Sequence, residues 1–228
     1  MPMPDTFFSE NLTGQTALID GPEAHHALHV LRLKVGGELR LIDGCGTVAT
    51  GVVAQTTRSS VTVDIEEKSS HARRKSSVTV AAAIPKGDRL KWMIEKVAEL
   101  GIDRFVPLST ERSVVDVRKC SAQKLRSTLI AVAKQSRQPW LMEIAEPVTL
   151  AAFAASFEGR LFVAHPGDSA VSVSVAGPRG VIIGPEGGLT DGEVEGLVAT
   201  GVSQVAWPGS ILRIETAAIV FGTQLIAG

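Results

Sequence analysis

The chain has 228 residues, 44% of them hydrophobic and 21% charged, which is the make-up of a globular protein with a substantial core. Its length suits one large domain or, better, two. No apolar run approaches the roughly 20 residues that cross a bilayer, and the start, MPMPDTFFSE, lacks the basic and then apolar pattern of a secretory signal. Cys45 and Cys120 form no CxxC and the five histidines show no zinc spacing, so the expectation is a reduced cytoplasmic protein with no metal and no membrane contact. The net charge of −1 hides an asymmetry: residues 78–140 carry 12 Lys/Arg against 6 Asp/Glu, and residues 141–228 carry 3 against 9. A basic block inside a neutral chain suits an anionic polymer such as nucleic acid, or a solvated helix face.

Residues 1–72 read as a small β-barrel domain. Thr16 to Ile19, Glu38 to Asp43, Thr47 to Gln55 and Ser60 to Glu66 are short strand patterns, with Gly44-Cys45-Gly46 as a hairpin connection. A helical piece from Pro22 to Leu31 interrupts them. His25, His26 and His29 lie on it with no Cys or carboxylate at a useful spacing, which favours helix-face roles over catalytic ones. Arg32 and Lys34 alternate with Leu31, Leu33 and Val35, as if on one exposed strand face suited to phosphate contacts. The polar stretch KSSHARRKSS then reads as a linker.

From Val78 the pattern changes to alternating strands and helices. Val78 to Ile84 is an apolar strand. Asp88 is placed to cap a helix with Leu90, Met93, Ile94 and Val97 on one face, and Gly101 is placed to end it in a Schellman motif. Phe105 to Leu108 completes a βαβ unit, so the sheet is parallel. Helices follow over Ser121 to Ser136 and Leu150 to Phe157. Strands are expected at Leu161 to Ala164, Gly180 to Ile183 and Ser203 to Ala206, each leading into a Gly- or Pro-rich loop. In a parallel sheet those ends share one edge, where α/β folds bind ligands. The C-terminal helix is apolar on several sides and calls for burial in the core or against another subunit.

The loop GPEGGLTDGE combines a glycine-rich turn with a capping box between Thr190 and Glu193. Such loops commonly hold phosphate, but Glu186 stands inside this one and no Lys or Arg lies between Arg179 and Arg213. An uncharged nucleoside with a positively charged sulfonium fits better, which points to S-adenosylmethionine; a structural tight turn is the other reading.

GPEGGLTDGE with ILRIETAAIVFGTQL resembles the closing motifs of the SPOUT methyltransferases. IPKGDRLKWMIEKVAELGIDRFVPLSTERSVV resembles the ribosomal RNA small subunit methyltransferase E family, and HHALHVLRLKVGGELRLIDGCG resembles that family's PUA-like barrel. The resemblance covers most of the chain. It implies an α/β fold: a SPOUT-type parallel sheet over residues 73–228, with a trefoil knot at about 160–228, preceded by a PUA-like β-barrel over 1–72. It further implies a homodimer, with ribosomal RNA of the small subunit or its assembly intermediate as partner. The activity implied is methyl transfer from S-adenosylmethionine to N3 of a uridine in small-subunit (16S) ribosomal RNA. Another target such as a ribose 2′-hydroxyl, or an inactive RNA-binding module, are the competing readings.

The cofactor loops implied are Val163, Ala164, His165 and Pro166; Gly184, Pro185, Glu186, Gly187 and Gly188; and Ile211, Leu212, Ile214, Glu215, Thr216 and Ala217. Arg213 is the catalytic candidate, because charge building on the uracil carbonyls calls for a nearby cation and few others stand close in sequence; a salt bridge to Glu215 or Glu186 is its plainer role. Glu186 either faces the sulfonium or orders its own loop. RNA contacts are expected from Arg32, Lys34, Lys86, Lys91, Arg112, Lys134 and Arg137. Two departures from the family pattern stand out: Asp5-Thr6 precede Phe7-Phe8 where a basic residue is usual, and Ser210 stands where an arginine is usual.

Overall fold

The computed structural model describes residues 4–167 and 176–228. The first three residues of the N-terminal stretch, and part of the span expected to be knotted, lie outside them. The chain divides into two compact units, Met1–Arg73 with Ile130–Leu141, and Arg74–Leu129 with Met142–Gly228. Residues 130–141, which a linear division at residue 72 assigns to the second domain, pack with the first unit.

In the first unit five strands form one sheet: β1 (Thr6–Phe8), β2 (Thr16–Ile19), β3 (Glu38–Ile42), β4 (Thr47–Thr56) and β5 (Val61–Ser70), in the order β1-β3-β4-β5-β2. Only the β1–β3 pair is parallel. Ser9 is buried, and its hydroxyl donates to the Leu18 carbonyl at 3.0 Å, so the chain leaving edge strand β1 reaches edge strand β2 and the sheet curls toward closure. Phe7, Ile19, Leu39, Leu41, Val61 and Val63 fill the interior. Gly51 sits at a register shift between β4 and β5, where a side chain would collide with the Asp64 carbonyl. The added segment is held by apolar contact of Ile130, Ala133 and Leu141 with Phe8, Ile42 and Val48. It is also held by Lys134, whose Nζ donates to both Glu23 carboxylate oxygens at 2.7 and 2.8 Å, and by Trp140, whose indole N–H donates to the His71 carbonyl at 2.9 Å. Arg73 stacks on the Trp140 ring at 4.4 Å.

Three expectations change here. The helical piece is α1 (Gly21–His25), which widens into one π turn over His26–Val30. Residues 31–37 form no strand: Leu33 N–H bonds to the Ala27 carbonyl, closing off the π turn, and Arg32 adopts a left-handed φ of 54°. Arg32 and Lys34 are therefore exposed on a loop and not on a strand face. The first three residues of the expected linker, Lys68 to Ser70, are strand, because β5 pairs with β4 as far as Thr47↔Ser70.

The second unit is a parallel sheet. Its strands are β6 (Val78–Ala82), β7 (Arg104–Ser109), β8 (Glu143–Ile144), β9 (Val148–Thr149), β10 (Arg160–Ala164), β11 (Arg179–Ile183) and β12 (Ser203–Val205). The order is β12-β10-β11-β6-β7-β8, with β9 beside β7. Strands β6 and β11 are buried along their whole length, Thr79 and Arg179 included, as expected of central strands in a doubly covered sheet. The helices are α2 (Arg89–Glu99), α3 (Ala122–Ser136), of which residues 130–136 belong to the first unit, α4 (Leu150–Ser156), α5 (Asp191–Ala199) and α6 (Ile214–Ala227). Gly101, with φ 81°, closes α2 as expected: its N–H bonds to Ala98 and that of Ile102 to Val97. Asp88 occupies the N-cap of α2, but its side chain makes no capping bond.

Helix α6 packs on α2, β6 and β11. Gly222 on α6 permits close approach, since a methyl there would lie 3.4 Å from Ile102 and 3.6 Å from Val80. Arg179, almost wholly buried, donates from Nε to the Leu225 carbonyl at 2.5 Å and so ties the start of β11 to the last turn of α6. Among the described residues no helix is long and apolar enough to cross a membrane.

Candidate functional site

Strands β12, β10 and β11 are neighbours, and their carboxyl ends are level: Ala164 pairs with both Ile183 and Val205. Three loops leave from this edge. The first begins at His165, whose N–H bonds to the Val205 carbonyl at 3.0 Å and extends the ladder by one residue. The second, Gly184 to Leu189, turns tightly: Gly188 N–H bonds to Pro185 O at 2.8 Å, with Gly188 at φ 72°, a conformation glycine adopts freely. The third runs from Ala206 to Leu212 and enters α6, whose N-cap is Arg213.

The second loop is held from three directions. At its end the capping box forms as the spacing predicts. Thr190 Oγ1 accepts from Glu193 N–H at 3.2 Å, and Glu193 Oε2 accepts from Thr190 N–H at 2.8 Å. The other Glu193 oxygen accepts from the Glu111 amide at 2.9 Å. Arg112 donates from Nη1 to the Gly187 carbonyl at 3.0 Å and to that of Leu189 at 3.4 Å. On the other side Arg89 donates from Nη2 to Glu186 Oε1 at 2.5 Å.

These loops enclose a cavity of about 280 Å³, at the lower end of ligand-site volumes. Of the expected cofactor residues, Ala164, His165 and Pro166 line it from the first loop. Gly184, Pro185, Glu186, Gly187 and Gly188 line it from the second, and Ile211, Leu212, Ile214 and Ala217 from the third loop and α6. Val163 lies in the sheet core, Glu215 is buried in the first turn of α6, and Thr216 is exposed; none of the three lines the cavity. The lining also includes Ser210, noted above as a departure from the family pattern, and Ile183, Leu189, Trp207 and Phe221, which sequence reasoning missed. Trp207 was legible as an aromatic in the turn WPGS. Phe221 was legible as the residue two turns into α6 on the face of Ile214 and Ala217.

The charge at the site differs from the linear reading. A stretch without Lys or Arg from 180 to 212 suggested a loop free of cations, yet the fold brings Arg89 and Arg112 to it from more than 70 residues upstream. Arg89 also lies 3.7 Å from Glu215 Oε1, and its Nε donates to the Lys86 carbonyl at 3.2 Å. The salt bridge considered for Arg213 is made by Arg89. Arg213 itself is exposed, with no ion pair among the described residues, between the lining residues Leu212 and Ile214. Glu215 is 6% exposed, and its Oε2 has no hydrogen-bond partner among the described residues.

The expected RNA contacts divide by their present bonds. Arg32, Lys34 and Lys86 are exposed, and Lys91 is exposed with Glu95 at 3.9 Å. Lys134 is committed to Glu23, and Arg112 to the loop carbonyls. Arg137 carries a left-handed φ of 57°, and its carbonyl accepts from Arg40 Nη2 at 3.3 Å. Burial, and then the charge of Arg137, push the Arg40 guanidinium below its usual pKa. No cysteine lines the cavity, and burial pushes the Cys120 thiol up to about 12.

Two family models match the chain: an RNA methyltransferase domain over residues 72–226 and an RNA methyltransferase PUA domain over residues 19–66. The chain is 30% identical to ribosomal RNA small subunit methyltransferase E of Bacillus subtilis, covering 93% of each chain. It is 31% identical to the protein of that name from Mycobacterium bovis, over 91% of this chain and 85% of the relative. A Legionella pneumophila structure in complex with the bound cofactor SAM superposes with a TM-score of 0.86 at 28% identity, covering 99% of this chain and 98% of that one.

Proposed function

The chain belongs to the ribosomal RNA small subunit methyltransferase E family, and from that premise we propose that its three-loop pocket binds S-adenosylmethionine for methylation of uridine N3 in 16S ribosomal RNA. The observation that carries this reading is the pocket itself: three loops from the level ends of adjacent parallel strands, closed by the first turns of a buried helix. Its residues fit the cofactor. Ile183, Leu189, Leu212 and Phe221 give apolar walls for an adenine ring, the glycines of the second loop allow backbone polar groups to approach it, and Glu186 supplies a carboxylate. The cofactor brings an electrophilic methyl group on a sulfonium.

Uridine N3 gives up its proton to water, charge spreads to the two flanking carbonyl oxygens, and N3 takes the methyl group as the methyl–sulfur bond breaks and leaves the neutral thioether. Arg213, exposed beside the pocket and without an ion pair among the described residues, is the residue we assign to those oxygens. Holding cofactor and base together supplies much of the remaining acceleration. A cysteine adduct has no part in this scheme, since no cysteine lines the pocket. Arg32 and Lys34 in the first unit, and Lys86 and Lys91 in the second, are exposed cations suited to RNA phosphates.

The reading extends to a cytoplasmic homodimer whose C-terminal segment is knotted. The course of the chain supports the knot: β12 lies beyond β10 at the sheet edge, and the next element, α6, is buried back against β6 and β11. Nucleoside analysis of 16S ribosomal RNA from a strain lacking the protein tests the activity. The 3-methyluridine should be absent and should return on complementation by the wild type; its presence in the deletion strain would refute the proposal.

A further inference from the structure

Two carboxylates share one guanidinium at the pocket wall. Arg89 is fixed by its Nε bond to the Lys86 carbonyl, donates from Nη2 to Glu186, and stands 3.7 Å from Glu215, beyond hydrogen-bond reach. Glu215 is buried and keeps an oxygen with no hydrogen-bond partner among the described residues. The trio therefore carries one negative charge in excess, and part of it lies where water screens it poorly. Glu186 lines the pocket, and Glu215 follows the lining residue Ile214.

We propose that the Glu186–Arg89–Glu215 cluster makes the pocket prefer the cationic sulfonium cofactor over its neutral thioether product, so that methyl transfer itself weakens the hold on the spent ligand. This rests on the reading of the pocket as the S-adenosylmethionine site. The two ligands differ by one methyl and one positive charge at sulfur, so a charge effect shows in the ratio of their affinities, whereas a change of pocket shape alters both. Arg112 and Arg213 also stand near the pocket. They are the same in wild type and variant, so a change in the ratio isolates the cluster.

Calorimetry with S-adenosylmethionine and S-adenosylhomocysteine on the full-length protein tests this. Glu186→Gln leaves Arg89 balanced by Glu215 alone. The affinity ratio should fall about fivefold, on the order expected for one unit charge acting over about 10 Å at a partly screened site. Most of the change should come from weaker S-adenosylmethionine binding. Arg89→Lys, which keeps the charge, should retain the wild-type ratio. Equal weakening of both ligands in Glu186→Gln, or no change in either, overturns the proposal. If wild-type protein binds neither ligand, the cofactor reading fails first and the cluster's role falls with it.

Discussion

Arg112 separates two accounts of one side chain. Position in a basic block marks it as an RNA contact, whereas its bonds make it a brace for the glycine-rich loop. Arg112→Ala removes a charged donor from the carbonyls of Gly187 and Leu189, at 3.0 and 3.4 Å. A hydrogen bond to a charged group is worth roughly 1.5–3 kcal/mol. The Arg112–Gly187 contact is exposed and the second is long, so about 1–2 kcal/mol is the reasonable share of loop order lost. That corresponds to about a 5- to 30-fold rise in the Kd for S-adenosylmethionine, since 1.4 kcal/mol is tenfold. Calorimetry gives the Kd, and ribosomal RNA binding measured across a salt series gives the number of phosphate contacts. The brace predicts weaker cofactor binding with the salt slope unchanged. An unchanged Kd with a slope smaller by about 0.7–0.9, the loss of one phosphate contact, would refute it.

Arg213→Ala should lower kcat at saturating cofactor about 100-fold or more, the loss seen on removing one charge-stabilising donor, with the cofactor Kd little changed in calorimetry. Lys134→Met leaves Glu23 half-buried without its counter-ion and should destabilise the protein by about 2–3 kcal/mol in urea unfolding, less than for a fully buried pair. Gly46→Ala places a methyl against the Trp140 ring at a φ of 98° and should cost more than 2 kcal/mol, read as a lower unfolding midpoint. At pH 8 a thiol reagent should label the exposed Cys45 and spare the buried Cys120 until the protein unfolds. Because the Cys120 pKa is raised from 9.0 to about 12 in the fold, its contribution to stability is complete below pH 9 and is lost as pH climbs from 9 toward 12; denaturation series over that range, wild type against Cys120→Ala, check the sign.

The sheet of the second unit was legible because its strands are apolar runs bounded by Gly and Pro, and because parallel strands bring the loops after Ala164, Ile183 and Val205 together. The capping box at Thr190 was legible because it depends on residues three apart. Short strands escaped: β8 and β9 have two residues each, too few to show a period. Residues 31–35 misled because an alternation with period two recurs in a loop that leaves Leu31 and Val35 exposed. The cations of the site were invisible for another reason. Arg89 meets Glu186 across 97 positions and Arg112 meets Gly187 across 75, and local pattern carries no information about such pairs. The path that would thread the C-terminal helix is likewise a property of the whole backbone, and it entered by resemblance alone.

Glu193 has a kinetic consequence beyond its capping role. One carboxylate accepts from the amides of Thr190 and Glu111, and the next residue, Arg112, grips the loop that Glu193 terminates. The loop, the start of α5 and the exit from β7 are thereby a single braced wall. Opening the pocket from that side breaks these bonds together, whereas the facing segment presents Trp207 and Ile211 exposed to water, 41% and 83% respectively. We expect ligand exchange to pass through that facing segment, so substitutions there should change the rate of product escape more than the strength of binding.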